Sequence, residues 1–251
     1  MNRTDASPQV APLGVGKALT RDFGGTYWNL SELIASSTLI RQARETSFSV
    51  CLFVLVGLGV GIGAALFFDG RLYGGRDGLA GELGHSTVEE TGDPCSCGNQ
   101  GCLELYSSAS AIARRVCSEL KLGVSSSVTQ ELGGNLDQLS VEVIVAAAKS
   151  HDRLAERVLS DAGTHLGTAL ADMVNLLNPE KVILAGKVPQ VAGDILLGPL
   201  LYNLRQRALP YVVKDLEVVV SQLGEEAAAV GSTLMAGEEV LTARCRELGA
   251  A

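Results

Sequence analysis

Apolar residues cluster most densely between Phe48 and Phe68, a stretch without a single charged residue. By length alone it reaches what a bilayer span requires. Its internal pattern argues otherwise. Gly57, Gly59, Gly61 and Gly63 recur with period two, and glycine at that density is costly in a helix. The flanks read as strands: Val50 to Val56 is β-rich, and Ile62 to Phe68 runs into Asp69-Gly70, a hairpin-turn dipeptide. The pattern predicts two buried strands joined by a glycine turn. No second apolar stretch supports a membrane reading.

Elsewhere the spacing of apolar positions alternates between helical and extended. Residues 1–12 read as a loose lead-in. Helical spacing covers Leu13 to Phe23, which stops at Gly24-Gly25, and Ser31 to Glu45, with Ser31 as a cap; Thr26 to Leu30 reads as a short strand. Residues 85–104 read as loop. Ser107 to Leu120 is amphipathic, and Leu122 to Asn135 is Ser/Gly-rich and reads as loop. Val141 to Lys149 and Leu154 to Leu177 are helical, the second stopped by Asn178-Pro179. Lys181 to Ala185 and Leu216 to Val220 are short strands. Asp194 to Leu209 is a helix ended by Pro210, and Glu225 to Leu248 a final helix with a break near Gly237. Strands alternating with helices imply an α/β fold with at least part of its sheet parallel.

Composition narrows the function classes. With 251 residues and 47% apolar content the chain can bury a substantial core as one large domain or two small ones, and disorder is disfavoured at 19% charged residues. The net charge of −8 argues against a nucleic-acid surface made by this chain alone, because phosphate contacts need clustered Lys and Arg. High glycine (29 residues) and low aromatic content (4%) fit an α/β protein with many tight turns. Met1 to Pro12 is polar, without the apolar core of a secretory signal, so a cytoplasmic location is expected.

The sharpest chemical signal is His85 with Cys95, Cys97 and Cys102, in the text GHSTVEETGDPCSCGNQGC. One imidazole and three thiols lie close in sequence, with Gly and Pro to let the chain curl back. Cys3His is a closed structural zinc set, and binding such a metal would order a loop of little apolar content. The competing readings are unrelated thiols or a disulfide. The lack of a secretion signal and the tight C-x-C spacing disfavour the latter. Cys51, Cys117 and Cys245 read as ordinary small buried residues. His151 and His165 lie in helical stretches without a nearby ligand set and read as structural or surface residues.

The text GVGIGAALFFDGRLYGGRDGLAGELGH, followed by CSCGNQGCLE and later by NPEKVILAG, resembles the ROK family of sugar-responsive repressors, bacterial sugar kinases and related open reading frames. The resemblance runs from about Leu13 to the end. It implies an actin-like ATPase fold of the sugar-kinase (ribonuclease H-like) type, two α/β lobes around a cleft, here mainly the second lobe with an incomplete first. Residues 1–30 would be a remnant of the first lobe and 31–251 the second, with the zinc loop at 81–104 and the C-terminal helix packing back on the first. It implies structural Zn²⁺ at His85, Cys95, Cys97 and Cys102. It also implies sugar contacts from Glu82, His85 and Glu104, which match the family positions in GELGH and GCLE. Carboxylates and an imidazole N–H suit sugar hydroxyls, which both donate and accept. His85 could bind zinc through one ring nitrogen and donate to sugar from the other.

Three departures bear on activity. The chain has no room for the family's early glycine-rich phosphate loop, nor for the helix-turn-helix of its repressor branch. The Asn-Asp pair whose Asp serves kinases as base is replaced near NLSELIASS by Ser31-Glu32 or Glu32-Leu33, so Glu32 would be the base of a kinase here. The phosphate-side Gly-Thr-Gly reads Gly59-Val60-Gly61, without the hydroxyl, and the late glycine turn reads Ala185-Gly186-Lys187. Gly59, Gly61 and Gly63 thus read as a degenerate nucleotide-binding turn. The expectation is the sugar-sensing, catalytically inactive portion of a ROK-type transcriptional regulator, binding a sugar or sugar phosphate, assembling as a homodimer or tetramer, and meeting DNA only through a segment absent here. The alternatives are a divergent hexose or N-acetylhexosamine kinase using ATP and Mg²⁺, and a degenerate remnant folded around zinc.

Overall fold

The computed structural model describes residues 52–69, 71–222 and Arg244. The elements expected over 13–45 and 225–248, and Glu32 with them, lie outside the described residues.

The apolar run folds as expected into two antiparallel strands, β1 (Leu52–Leu58) and β2 (Ile62–Phe68), paired from Leu52↔Phe68 to Leu58↔Ile62. Residues 59–61 make the turn. β2 then turns at Asp69, whose φ of 49° suits a tight hairpin, into the short edge strand β3 (Arg71–Tyr73). On the other side β1 pairs in parallel with β4 (Lys181–Ala185), and β4 with β5 (Glu217–Val220), giving the order β3-β2-β1-β4-β5.

The central strands are buried on both faces, which explains why their sequences are continuous apolar runs rather than alternating ones. Val54, Val56, Leu58, Val182 and Leu184 point into the helical layer. Phe53, Leu55, Phe67 and Ile183 point the other way, where the Phe53 and Phe67 rings stack at 4.6 Å.

The helical layer comprises α1 (Glu104–Ser107), α2 (Ala109–Lys121), α3 (Ser127–Glu131), α4 (Val141–Lys149), α5 (Arg153–Leu177), α6 (Lys187–Ala192), α7 (Asp194–Arg207) and α8 (Pro210–Val213). The helix α5, 25 residues long, is the axis of this layer. Leu159, Ala162, Leu166, Leu170 and Val174 line its buried face, and Asn178, left-handed at φ 48°, ends it. Gly163 and Gly167 replace bulk on that face so that α7 can approach: a Cβ on either would overlap the Leu196 or Leu200 carbonyl oxygen of α7. Asn203 of α7 closes the contact, donating to the Thr164 carbonyl and the Thr168 hydroxyl, both at 2.7 Å.

Three expectations are corrected. The amphipathic helix expected from Ser107 begins at Ala109, because Ser108 leaves the helical region (ψ 159°) to cap α2, its hydroxyl accepting from Ala111 N at 3.1 Å, and Ser107 ends the short α1 instead. The segment 122–135, expected as loop, contains α3. The Asp152 carboxylate, which caps α5, also receives the Ser127 N–H at 2.6 Å and so holds the first turn of α3. Pro210 does not end α7, which stops at Arg207; it opens α8, where a missing N–H costs nothing.

Candidate functional site

The GELGH segment (81–85) follows β3 in the chain and lies along the part of the β2 edge that β3, paired only with Leu66–Phe68, leaves free. Ala64 N donates to the Gly81 carbonyl at 2.7 Å, and the backbones run so close that a Cβ on Gly81 would overlap Ala64 O. Gly81 also has φ 99°, so only glycine serves there. A short 3-10 turn (Leu83–His85) follows and aims Glu82 and His85 outward.

Residues 86–103 form a knuckle with its two ends paired. Leu103 N donates to Ser86 O at 2.9 Å, and Thr87 bridges Cys102 across the base. Within it, Cys95 N donates to Asn99 O at 2.8 Å and Gly98 N to Cys95 O at 3.0 Å, which curls the Cys-x-Cys turn inward. The four side chains read from the sequence converge here. One ligand atom from each of His85, Cys95, Cys97 and Cys102 falls within 4.8 Å of all the others. The Cys97 and Cys102 sulfurs are 3.7 Å apart, and Cys95 Sγ is 3.7 Å from His85 Nδ1. A tetrahedral thiolate site with bonds of about 2.3 Å places its sulfurs about 3.8 Å apart, so the residues fit a metal ion. Cys95 and Cys102 are buried and Cys97 is exposed. Burial, reinforced by the Cys95 and Cys97 sulfurs, pushes the metal-free Cys102 thiol up to about 12. The Asn99 backbone N–H holds Cys97 below its usual value. Loading a cation would therefore expel protons from this cluster.

His85 faces two ways. With Nδ1 directed at the sulfur cluster, its Nε2 lies on the open side, 3.9 Å from Glu82 Oε2. That gap is too long for a hydrogen bond and leaves both groups available to a ligand hydroxyl. Glu104 opens α1 just beyond Cys102, and its Oε2 accepts from Ile62 N at 2.9 Å. Gly84 packs on the carbonyl of the same Ile62. Glu104 and the Gly84 turn between Glu82 and His85 thus meet the two backbone groups of one residue at the start of β2.

The glycine turn sits next to this group. Gly59 O accepts from Ala109 N at 2.8 Å and Val60 O from the Ser110 hydroxyl, so its carbonyls are drawn to the start of α2, while the Val60 side chain is exposed. Gly63 lies inside β2 opposite Gly57. Gly186 lies against the Leu58 carbonyl, which brings the late turn beside the first. Lys187 there binds Glu142 of α4 at 2.9 Å, and this bond is the main reason the Glu142 carboxyl is held down at about 2.

Glu89, Tyr106 and His165 are a group that sequence reasoning missed. The His165 and Tyr106 rings stack at 4.7 Å, and His165 Nε2 is 3.2 Å from Glu89 Oε1. Glu89 and His165 are far apart in sequence, and the pattern along the chain gave no signal for them. His151 is exposed, its ring 3.2 Å from Glu156, in agreement with its reading as a surface residue, but at φ 64° it lies in the turn between α4 and α5 rather than in a helix.

The chain belongs to the ROK family, whose profile matches residues 30–239. Among curated proteins it is 37% identical over 182 residues to a glucokinase of Halalkalibacterium halodurans, covering 71% of this chain and 54% of that one. It is 38% identical over 175 residues to the DNA-binding transcriptional dual regulator NagC of Escherichia coli, covering 70% and 41%. The chain thus spans about half the length of the curated relatives it matches. Among solved structures it resembles a ROK family transcriptional regulator, a homologue of the E. coli MLC protein, with TM-score 0.69 at 34% identity over 81% of this chain and 49% of that one. It also resembles a ROK family glucokinase from Streptomyces griseus, solved with glucose and AMPPNP, with TM-score 0.66 at 26% identity over 80% and 64%. The fold is the actin-like ATPase fold of the ROK sugar kinases. Repressors and glucokinases match about equally well. No helix among the described residues is long and apolar enough to cross a membrane.

Proposed function

We propose that this chain is the sugar-sensing portion of a ROK-type transcriptional regulator, with a structural Zn²⁺ on His85, Cys95, Cys97 and Cys102 and no phosphoryl transfer of its own. The observation that carries the reading is the two-sided placement of His85, with Nδ1 toward the thiols and Nε2 open beside Glu82. The metal supplies order: it fixes the ring's tautomer and direction, so that Nε2–H donates to a sugar hydroxyl. Glu82 and Glu104 accept from neighbouring hydroxyls. Sugars occupy related proteins, such as glucose in the S. griseus glucokinase. Glucose, N-acetylglucosamine and their 6-phosphates are the first candidates here.

The regulator reading is favoured over the kinase reading by the nucleotide side. Val60 offers no hydroxyl, and Lys187 is bound to Glu142. Residues 1–30 then belong to the first lobe and 31–251 to the second. Binding between lobes would change their relative orientation by differential affinity for two states, and a homodimer or tetramer would transmit the change to DNA-binding segments other than the lobe described here.

Substituting Glu82→Ala tests the site. The account expects sugar affinity to fall at least tenfold in calorimetry while zinc content stays at one ion per chain. Unchanged affinity would remove Glu82 from the site.

A further inference from the structure

We propose that His165 is a positioning residue for the sugar site: held by Glu89 and Tyr106, its protonated ring latches the metal knuckle and α1 onto α5. The inference rests on the sugar-site reading for its consequence, and on the geometry alone for the latch.

His165 Nδ1 is 2.8 Å from the Asp161 carbonyl oxygen, which can only accept, so Nδ1 carries a hydrogen. Its Nε2 is 3.2 Å from Glu89 Oε1, and an ionised carboxylate also only accepts. A neutral ring satisfies one partner and turns a lone pair on the other. The imidazolium satisfies both, and its charge strengthens the bond to Glu89. The latch is therefore complete when His165 holds two ring protons.

What the latch holds is the frame of the site. Glu89 belongs to the knuckle, where its N–H and that of Val88 both donate to Gly101 O, next to Cys102. Tyr106 belongs to α1, two residues after Glu104, and its hydroxyl accepts from Asp93 N of the knuckle at 3.2 Å. Ser107 donates from its buried hydroxyl to the Ala162 carbonyl at 2.8 Å, on the same face of α5 as His165. One turn of α5 thus grips α1 and, through Glu89, the loop bearing three thiols. The His165 ring lines an open cleft of about 440 Å³, so solvent reaches it. The charged and titratable groups around that cleft are Glu89 from the knuckle, Tyr106 from α1, Arg115 from α2 and Asp161 from α5 itself. Arg115 is engaged by Glu119 at 3.3 Å, which leaves Glu89 as the carboxylate bonded to the His165 ring.

Glu89→Gln separates the proton from the fold. Its amide donates to a neutral Nε2 or accepts from a protonated one, so the latch closes in either state. His165→Phe keeps the stack on Tyr106 and removes both hydrogen bonds. The full zinc-loaded chain is titrated with N-acetylglucosamine and glucose at about pH 6 and about pH 8, bracketing the range in which histidines change charge. Amide exchange of residues 86–102 is followed at the same two values. Wild type is expected to bind roughly threefold to tenfold more tightly at the lower pH. Glu89→Gln should bind equally at both, and His165→Phe should bind at both like wild type at the higher pH. Comparing variants at one pH cancels any proton dependence of the metal ligands and of exchange chemistry. A wild-type pH profile retained in both variants overturns the latch. If wild type binds neither sugar, the sugar reading fails and exchange alone decides the latch. A wild-type to Glu89→Gln protection ratio that rises toward low pH supports it, and a ratio that does not change overturns it.

Discussion

Replacing Gly167 by alanine tests the packing that everything else stands on. An added Cβ would lie 2.5 Å from the Leu200 carbonyl oxygen, 3.1 Å from Asn203 Cβ and 3.2 Å from the Leu200 carbonyl carbon. Two of these are rigid backbone atoms, so α5 and α7 must separate by about 0.8 Å to restore ordinary contact. Overpacking of this kind costs about 1–3 kcal/mol. Separation also stretches the 2.7 Å bonds from Asn203 to Thr164 and Thr168, each worth about 1 kcal/mol. Against this stands the gain of about 1 kcal/mol for alanine over glycine in a helix. In urea denaturation Gly167→Ala should be destabilised by about 1–3 kcal/mol. Stabilisation by the full helix-propensity gain of about 1 kcal/mol would refute the close approach of α5 and α7, and with it the placement of Ala162 and His165 against α1.

Two further outcomes follow from the site and its supports. Cys97→Ser should lower zinc content measured by atomic emission and raise protease cleavage within residues 86–102, whereas full occupancy would remove Cys97 from the ligand set. Asp152→Ala should cost about 1 kcal/mol at neutral pH, as loss of a helix cap does. Burial raises the Asp152 carboxyl, but the Ala155 and Ser127 N–H bonds outweigh it and hold it below its usual 3.8. The cap's contribution is therefore complete above about 3.8 and is lost as pH falls through the lower folded value. The gap between variant and wild type should close on acidification, and a gap that widened would contradict the assignment.

The strands β1, β2, β4 and β5 and the cysteine knuckle were legible because their signals are local, whereas β3 was not expected. An uncharged apolar run with period-two glycines has few other readings, and the four candidate metal ligands lie close together in sequence. Lys181–Ala185 and Val141–Lys149 emerged with the expected bounds for the same reason. The helix α3 was not legible, since its first turn depends on an Asp152 carboxylate 25 residues away. The Glu89–His165 contact joins residues 76 apart, and nothing near either announces the other. Ser108 looked like one more polar residue in an amphipathic helix. Only its ψ shows it to be a cap, and this break sets the start of α2 against the glycine turn while leaving Glu104 on a helix of its own.

The central claim is a metal-ordered sugar site that senses rather than phosphorylates. The most direct measurement is calorimetric titration of the zinc-loaded chain with glucose, N-acetylglucosamine and their 6-phosphates, with and without ATP and Mg²⁺, while ADP is assayed in the same samples. The account predicts heat from at least one sugar, unchanged by ATP, and no ADP. ADP formed in proportion to sugar would contradict it and make Glu32 the first residue to test; silence from every sugar would contradict the binding site itself.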